Sequence, residues 1–319
     1  MAKTPAIVKE IQLTPKRELN YGFQKNISYS QYSMWKKCPK HWALQYREGH
    51  KIYEGSIHTV FGKALHEALQ HYLTIMYEKT VKDADAIDLH ALLKQQMYDL
   101  YKEAVSKMDD HFSTKFEMNE FYDDGVAIID WFKRKRGSFF SRKNEELIGI
   151  EVPIYHPVDE DNKHVMMLGY LDIVIRDKRD GKITIIDLKT STMGWNKYQK
   201  ADKIKTSQLV LYKKYFAEQY GYDVEKIDIK YMILKRKLIE GAMFPQKRIT
   251  EFMPASGKPT RNKLARSIKG FVESSFLANG DYNMNKQYPA IAGKNNKNCK
   301  YCEFKGQDDL CLKSNRIKG

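Results

Sequence analysis

With 319 residues, 42% hydrophobic and 30% charged, the chain has a globular protein's composition and ample core, and no apolar run reaches the ~18 residues of a membrane span. Its 55 lysines and arginines exceed its 40 acidic residues for a formal net charge of +15, which favours a polyanionic partner through attraction and counterion release. The opening Met-Ala-Lys-Thr-Pro-Ala-Ile-Val lacks the apolar core of a secretion signal, so a cytoplasmic protein with reduced thiols is expected.

Residues 1–26 show little periodicity, carry Pro5 and Pro15, and read as an N-terminal arm. Ser28 or Ser30 can cap a helix over Gln31 to Lys37, and Cys38-Pro39 breaks it, with proline at the first position of a second helix to about Tyr46. Val60 to Tyr77 is predicted as an amphipathic helix with Phe61, Leu65, Leu69, Tyr72 and Leu73 on its inner stripe. It contains Gly62-Lys-Ala-Leu-His66; a lone helical histidine is as a rule a core or surface residue. His66-Glu67 with His71 is not the zinc-protease motif, whose second histidine stands four residues after the first. Residues 80–140 read as two or three further helices ending in the basic run Lys133 to Arg136, either a solvated helix end or a phosphate contact. Glu146 to Tyr155 reads as a strand, with Glu151 a possible accessory carboxylate.

The segment Met166 to Tyr212 organises the chain. Two β-branched runs flank Asp-Lys-Arg-Asp-Gly-Lys at 177–182, as in an antiparallel hairpin. A symmetric loop sets Arg176 opposite Ile183 and hence Asp172 opposite Asp187, with Lys189 on the same face. Two carboxylates within about 5 Å on a strand pair repel, and the pair is tolerated if a cation lies between them or one is protonated. Mg²⁺ or Mn²⁺ suits such a pair plus a backbone carbonyl, that of Leu188; the bland alternative is a solvated strand face. In the helical run from Thr206, Gln208 and Tyr212 share a face. A strand over Lys226 to Lys237 ends in Lys235-Arg-Lys, facing nucleic acid or water. Ser256-Gly-Lys-Pro-Thr lacks the upstream glycine of a phosphate-binding loop, and no nucleotide-hydrolysis motor is evident. Arg261 to Asn279 reads as a helix.

Cys38 stands far upstream of Cys299, Cys302 and Cys311, the last three spaced Cys-x-x-Cys and then eight residues to the final thiol. In a reducing compartment a metal site is the better reading than disulfides, and four thiolates suit zinc or a [4Fe–4S] cluster.

Gly-Tyr-Leu-Asp172, then Asp187-Leu-Lys189, then Gln208-x-x-x-Tyr212 resembles the RecB-type branch of the PD-(D/E)XK nuclease superfamily. Gly62-x-x-x-His66 resembles the same branch's histidine motif. Ser-x-Ser before Cys38-Pro, with three cysteines downstream, resembles the iron–sulfur staple of nucleases of the AddB and CRISPR-adaptation type, which favours [4Fe–4S] over structural Zn²⁺.

The resemblance spans Ser28 to Cys311 and implies an α/β fold: a restriction-endonuclease-like core with a central mixed β-sheet flanked by helices, a helical N-terminal region and a C-terminal Cys-rich segment. The expected divisions are 1–26 as the arm, 27–145 as the helical region, 146–240 as the nuclease core and 241–319 as the C-terminal region. His66, Asp172 and Asp187 are implied metal ligands, Lys189 the residue that orients water and steadies developing charge, and Gln208 and Tyr212 the residues that position phosphate or base. The activity implied is DNA phosphodiester hydrolysis leaving 5′-phosphates, on single-stranded ends, in phage or host recombination and repair. A separate helicase or single-strand-binding protein is an expected partner, and a membrane is not. The alternative is a nuclease-fold subunit that binds DNA with little or no cleavage.

Overall fold

The computed structural model describes residues 25–50, 55–108, 110–159 and 162–318. Of the arm expected over 1–26, all but Lys25 and Asn26 lies outside the described residues. The chain forms two compact units: one drawn from the described parts of 53–153 and 170–255, the other from those of 15–52, 154–169 and 256–319. Among the described residues no helix is long and apolar enough to cross a membrane.

In the first unit, helices α3 (Ile57–Glu78), α4 (Val81–Asp85), α5 (Leu89–Met108) and α6 (Lys115–Lys135) precede the strands. The apolar stripe of α3 comes from residues three and four apart, and Phe61, Leu65, Leu69, Tyr72 and Leu73 are all buried. They pack with Leu93, Phe121, Ile128 and Phe132 of α5 and α6 against the sheet residues Ile173, Ile186, Leu188 and Met232. Strands β2 (Glu145–Asp159) and β3 (Asn162–Asp177) pair with each other and contribute residues to both units. β3 turns at Gly181, whose φ of 73° suits glycine, into β4 (Ile183–Ser191), antiparallel to it with Arg176 opposite Ile183. This is the register expected from the symmetric loop.

Helices α7 (Lys197–Ala201) and α8 (Lys203–Tyr220) then cross over, as a parallel neighbour requires. β5 (Ile227–Lys235) runs parallel to β4 with Asp187 beside Tyr231 and Lys189 beside Ile233, and β6 (Ile249–Phe252) pairs antiparallel to β5. The sheet is therefore mixed.

The second unit contains β1 (Lys25–Ile27), parallel to the start of β3 through Lys25 and Val165. Helix α1 (Tyr29–Lys37) is capped by Ser28, whose hydroxyl accepts from Gln31 N at 3.3 Å. Cys38 ends α1 and begins α2 (Pro39–Trp42), which continues as a π-helical turn over Ala43–Arg47. Buried Trp42 is ringed edge-on by Phe271, Phe276, Tyr282 and Tyr288, and its indole N–H donates to Gln31 Oε1. Phe271 lies on α9 (Lys258–Ser275). The short strands β7 (Ala290–Ile291) and β8 (Arg316–Ile317) pair in parallel around the three C-terminal cysteines.

The basic ends of two elements are tied down. Lys133 Nζ donates to the carbonyls of Asp85 and Ile87, and Arg136 pairs with Asp85. At the end of β5, Arg236 is buried against Asp124 (3.0 Å) with its guanidinium 3.5 Å from the Phe121 ring centre. Lys237 reaches Glu120 and Asp124. The expectation that this end faces nucleic acid or water is corrected for Arg236, which is buried against Asp124 of α6; Lys237 pairs with Glu120 and Asp124 but stays partly exposed.

Candidate active site

The antiparallel register carries Asp172 and Asp187 to the same level of β3 and β4. Asp172 Oδ2 accepts from Leu188 N at 2.7 Å, so its carboxylate lies across the end of the ladder. Burial, and then the charge of Asp187, push the Asp172 carboxyl well above the usual carboxylate range. Asp187 is also raised by burial, with Lys189 opposing. Lys189 Nζ lies 2.8 Å from Asp187 Oδ2 as an ion pair that lacks good hydrogen-bond direction. Burial works against the lysine's charge, but Asp187 and Asp172 outweigh it and hold the ammonium charged. One ammonium cannot balance both carboxyls if both ionise.

Helix α3 brings His66 to the pair, with Nδ1 3.7 Å from Asp172 Oδ2, beyond hydrogen-bond range. Its Nε2 is buried without a partner. Burial, and then the charge of Lys189, lower the imidazole to a pKa of about 3, so it is neutral at physiological pH, the form that ligates metals. Gly62 sits where α3 approaches β4: a Cβ there would lie 3.2 Å from Thr190 Oγ1, a tight fit that Thr190 would have to yield to. Gln70, four residues after His66 and buried, donates through Nε2 to Glu151 Oε1 (2.7 Å) and to the Asp172 carbonyl (3.2 Å). Glu151 itself has φ of 50° within β2.

From α8, Gln208 Nε2 donates to the Tyr212 hydroxyl at 3.2 Å. Burial pushes that phenol up to about 12, with Asp187, Lys189 and Asp172 near enough to act on it. His66, Gln70, Glu151, Leu188 and Lys189 border a cleft of about 610 Å³ that His58 and Lys63 also line.

The residues fit a divalent cation. Two buried carboxyls that resist ionising side by side and an orphaned imidazole nitrogen would each be relieved by one oxygen- and nitrogen-ligated ion. The structure brings together His66, Glu151, Asp172, Asp187, Leu188 and Lys189, with Gln208 and Tyr212 beside them. Gln70 was missed, although its i+4 spacing from His66 could have marked it.

The chain is matched over residues 26–307 by the profile of the PD-(D/E)XK nuclease superfamily. It belongs to that superfamily. Its mixed sheet is the restriction-endonuclease-like core of these proteins, whose fold is that of metal-dependent nucleases that act on DNA. A comparison with curated proteins found no match.

In the second unit of this PD-(D/E)XK protein, all four cysteines are free thiols that line one small apolar cavity with His41 and Phe304. Cys38 Sγ accepts from Ile291 N at 3.3 Å. Burial raises the Cys38 thiol and pushes Cys302 up to about 11, so a neighbouring cation is needed to hold thiolates there. His41, Cys302 and Glu303 present ligand atoms within 4.8 Å of one another, a group that could hold a metal. His41 and Glu303 were absent from the expected ligands. Their signal was position: His41 three residues after Cys38, and Glu303 directly after Cys302.

Proposed function

We propose that the chain is a Mg²⁺- or Mn²⁺-dependent deoxyribonuclease that hydrolyses phosphodiesters at single-stranded DNA ends and leaves 5′-phosphates. The observation that carries this reading is the pair of buried carboxyls, Asp172 and Asp187, whose charged forms lack a sufficient counter-charge, beside the unpartnered His66 nitrogen. Asp172, Asp187, His66 and the Leu188 carbonyl would hold the metal, with Glu151 as accessory carboxylate. When bound, Mg²⁺ or Mn²⁺ lowers the pKa of water and offsets charge on the scissile phosphate.

Lys189 would orient the attacking water and donate to the phosphoryl oxygens as negative charge builds on them. The Tyr212 phenol, kept protonated by burial, serves as a donor toward phosphate, with Gln208 fixing its direction. Water adds to phosphorus in line, giving up a proton to solvent, and the P–O bond to the 3′-oxygen breaks, that oxygen taking up a proton from solvent.

Cys38, Cys299, Cys302 and Cys311 would hold a structural [4Fe–4S] cluster. Structural Zn²⁺ is the second reading, favoured by His41 and Glu303, which add harder donors to the thiols. A cytoplasmic role in recombination or repair, of phage or host, with a separate helicase or single-strand-binding partner, completes the proposal.

The test is digestion of end-labelled single-stranded DNA by protein purified without oxygen, with RNA of the same sequence alongside. Mg²⁺-dependent cleavage is expected to vanish in Asp172→Ala while DNA binding persists. Undiminished cleavage by that variant would sink the assignment.

A further inference from the structure

Beyond Lys189 the chain runs Thr-Ser-Thr-Met-Gly-Trp-Asn-Lys-Tyr-Gln-Lys to position 200, and this segment is firmly mounted. Trp195 is buried against Tyr231 and Phe252, with ring centres 4.9 and 6.1 Å away. A capping box starts α7: Asn196 Oδ1 accepts from Tyr198 N and Gln199 N, and Gln199 Oε1 accepts from Asn196 N. Gly194, at φ 92°, lets the stem of Lys235 pass, since a Cβ there would lie 3.0 Å from Lys235 Cε. Lys200 Nζ lies 5.7 Å above the Phe252 ring. On this anchored base the Tyr198 side chain is 74% exposed.

Lys235 is the register partner of Ser191, so it shares the sheet face of Lys189 and lies about 7 Å further along the strands. Among the described residues neither Lys200 nor Lys235 has a carboxylate partner.

We propose that this ledge binds one strand of nucleic acid beside the active site, with Tyr198 stacked on an unpaired base and Lys200 and Lys235 gripping the adjacent phosphate. The assignment rests on the nuclease reading of the neighbouring site and specifies how its substrate is held. Partial burial, and then the charge of Lys200, lower the Lys235 ammonium, a crowding of like charges that an anion relieves. The Tyr198 ring, with Lys197 Nζ 5.1 Å from its centre, gains most from a base whose face is free; the bases of a duplex already cover one another.

Binding is read by fluorescence anisotropy in EDTA, with a labelled single-stranded oligonucleotide and a blunt duplex of equal length, and by quenching of 2-aminopurine in the single strand. Tyr198→Ala is expected to weaken single-strand binding about 5- to 150-fold and abolish the quenching, with duplex binding unchanged, whereas Tyr198→Phe retains both. Lys200→Ala with Lys235→Ala is expected to flatten the dependence of log affinity on log salt by about 0.7 for each phosphate no longer neutralised. The proposal is overturned if wild type fails to bind single strands, if Tyr198→Ala binds within twofold of wild type, or if it loses duplex binding equally. These readouts need no cleavage. Wild-type protein that binds in this way yet never cuts with Mg²⁺ overturns the nuclease reading alone.

Discussion

Glu151 adopts a left-handed backbone in the middle of a strand, a conformation that costs a non-glycine residue on the order of 1 kcal/mol. What it gains is the Gln70 hydrogen bond and a carboxylate at the rim of the cleft. Glycine would relieve the strain and remove the carboxylate. Glu151→Gly is therefore expected to leave metal-free stability unchanged or raise it by about 0.5 kcal/mol in urea denaturation, while lowering Mn²⁺ affinity and cleavage by about tenfold or more. A loss of more than about 1 kcal/mol would show that the side chain serves the fold instead. The same logic separates the residues at the crowded centre. Lys189 answers one carboxylate and cannot answer both, so the pair is stable when charged only if further positive charge arrives.

Strand β5 and helix α6 are coupled by a buried ion pair rather than by apolar packing alone. Arg236 fills the space between Asp124 and the Phe121 ring, and Lys237 gives Asp124 a second, more exposed partner. Arg236→Ala should cost about 3 kcal/mol, the lower end for breaking a buried pair, because Lys237 still reaches the stranded carboxylate. The double variant Asp124→Leu with Arg236→Met should recover much of that deficit. Urea denaturation of the variants tests both; an Arg236→Ala protein within about 0.5 kcal/mol of wild type would place the pair among dispensable surface interactions. Lys235, next in sequence, stays free of such pairing, so adjacent residues of one basic run serve different ends.

At the scale of the whole molecule, the thiols of Cys38 and the C-terminal cysteines meet because hydrogen bonds and a histidine–carboxylate contact hold these two segments together. Lys40 N donates to the Pro289 carbonyl, Asn298 Nδ2 to the Lys37 carbonyl, and His41 pairs with Glu303 at 3.0 Å. A metal bridging Cys38 to Cys299 closes a very long loop, and such closures remove the most entropy from the unfolded chain. Cys38→Ser is expected to lose the bound iron or zinc and to melt several degrees lower. Metal analysis and a thermal scan check this; full metal content at an unchanged melting temperature would remove Cys38 from the ligand set. The hairpin that sets Asp172 against Asp187 was legible in the sequence, because a symmetric loop and strict alternation dictate register locally. So was the stripe of α3. Gln70, the left-handed Glu151, the pairing of Arg236 and the positions of His41 and Glu303 were not, since each depends on which distant element packs alongside. Local rules of period and turn fix which residues share a face; which faces meet, and which buried charges are left without a partner, is decided only when the chain closes its core.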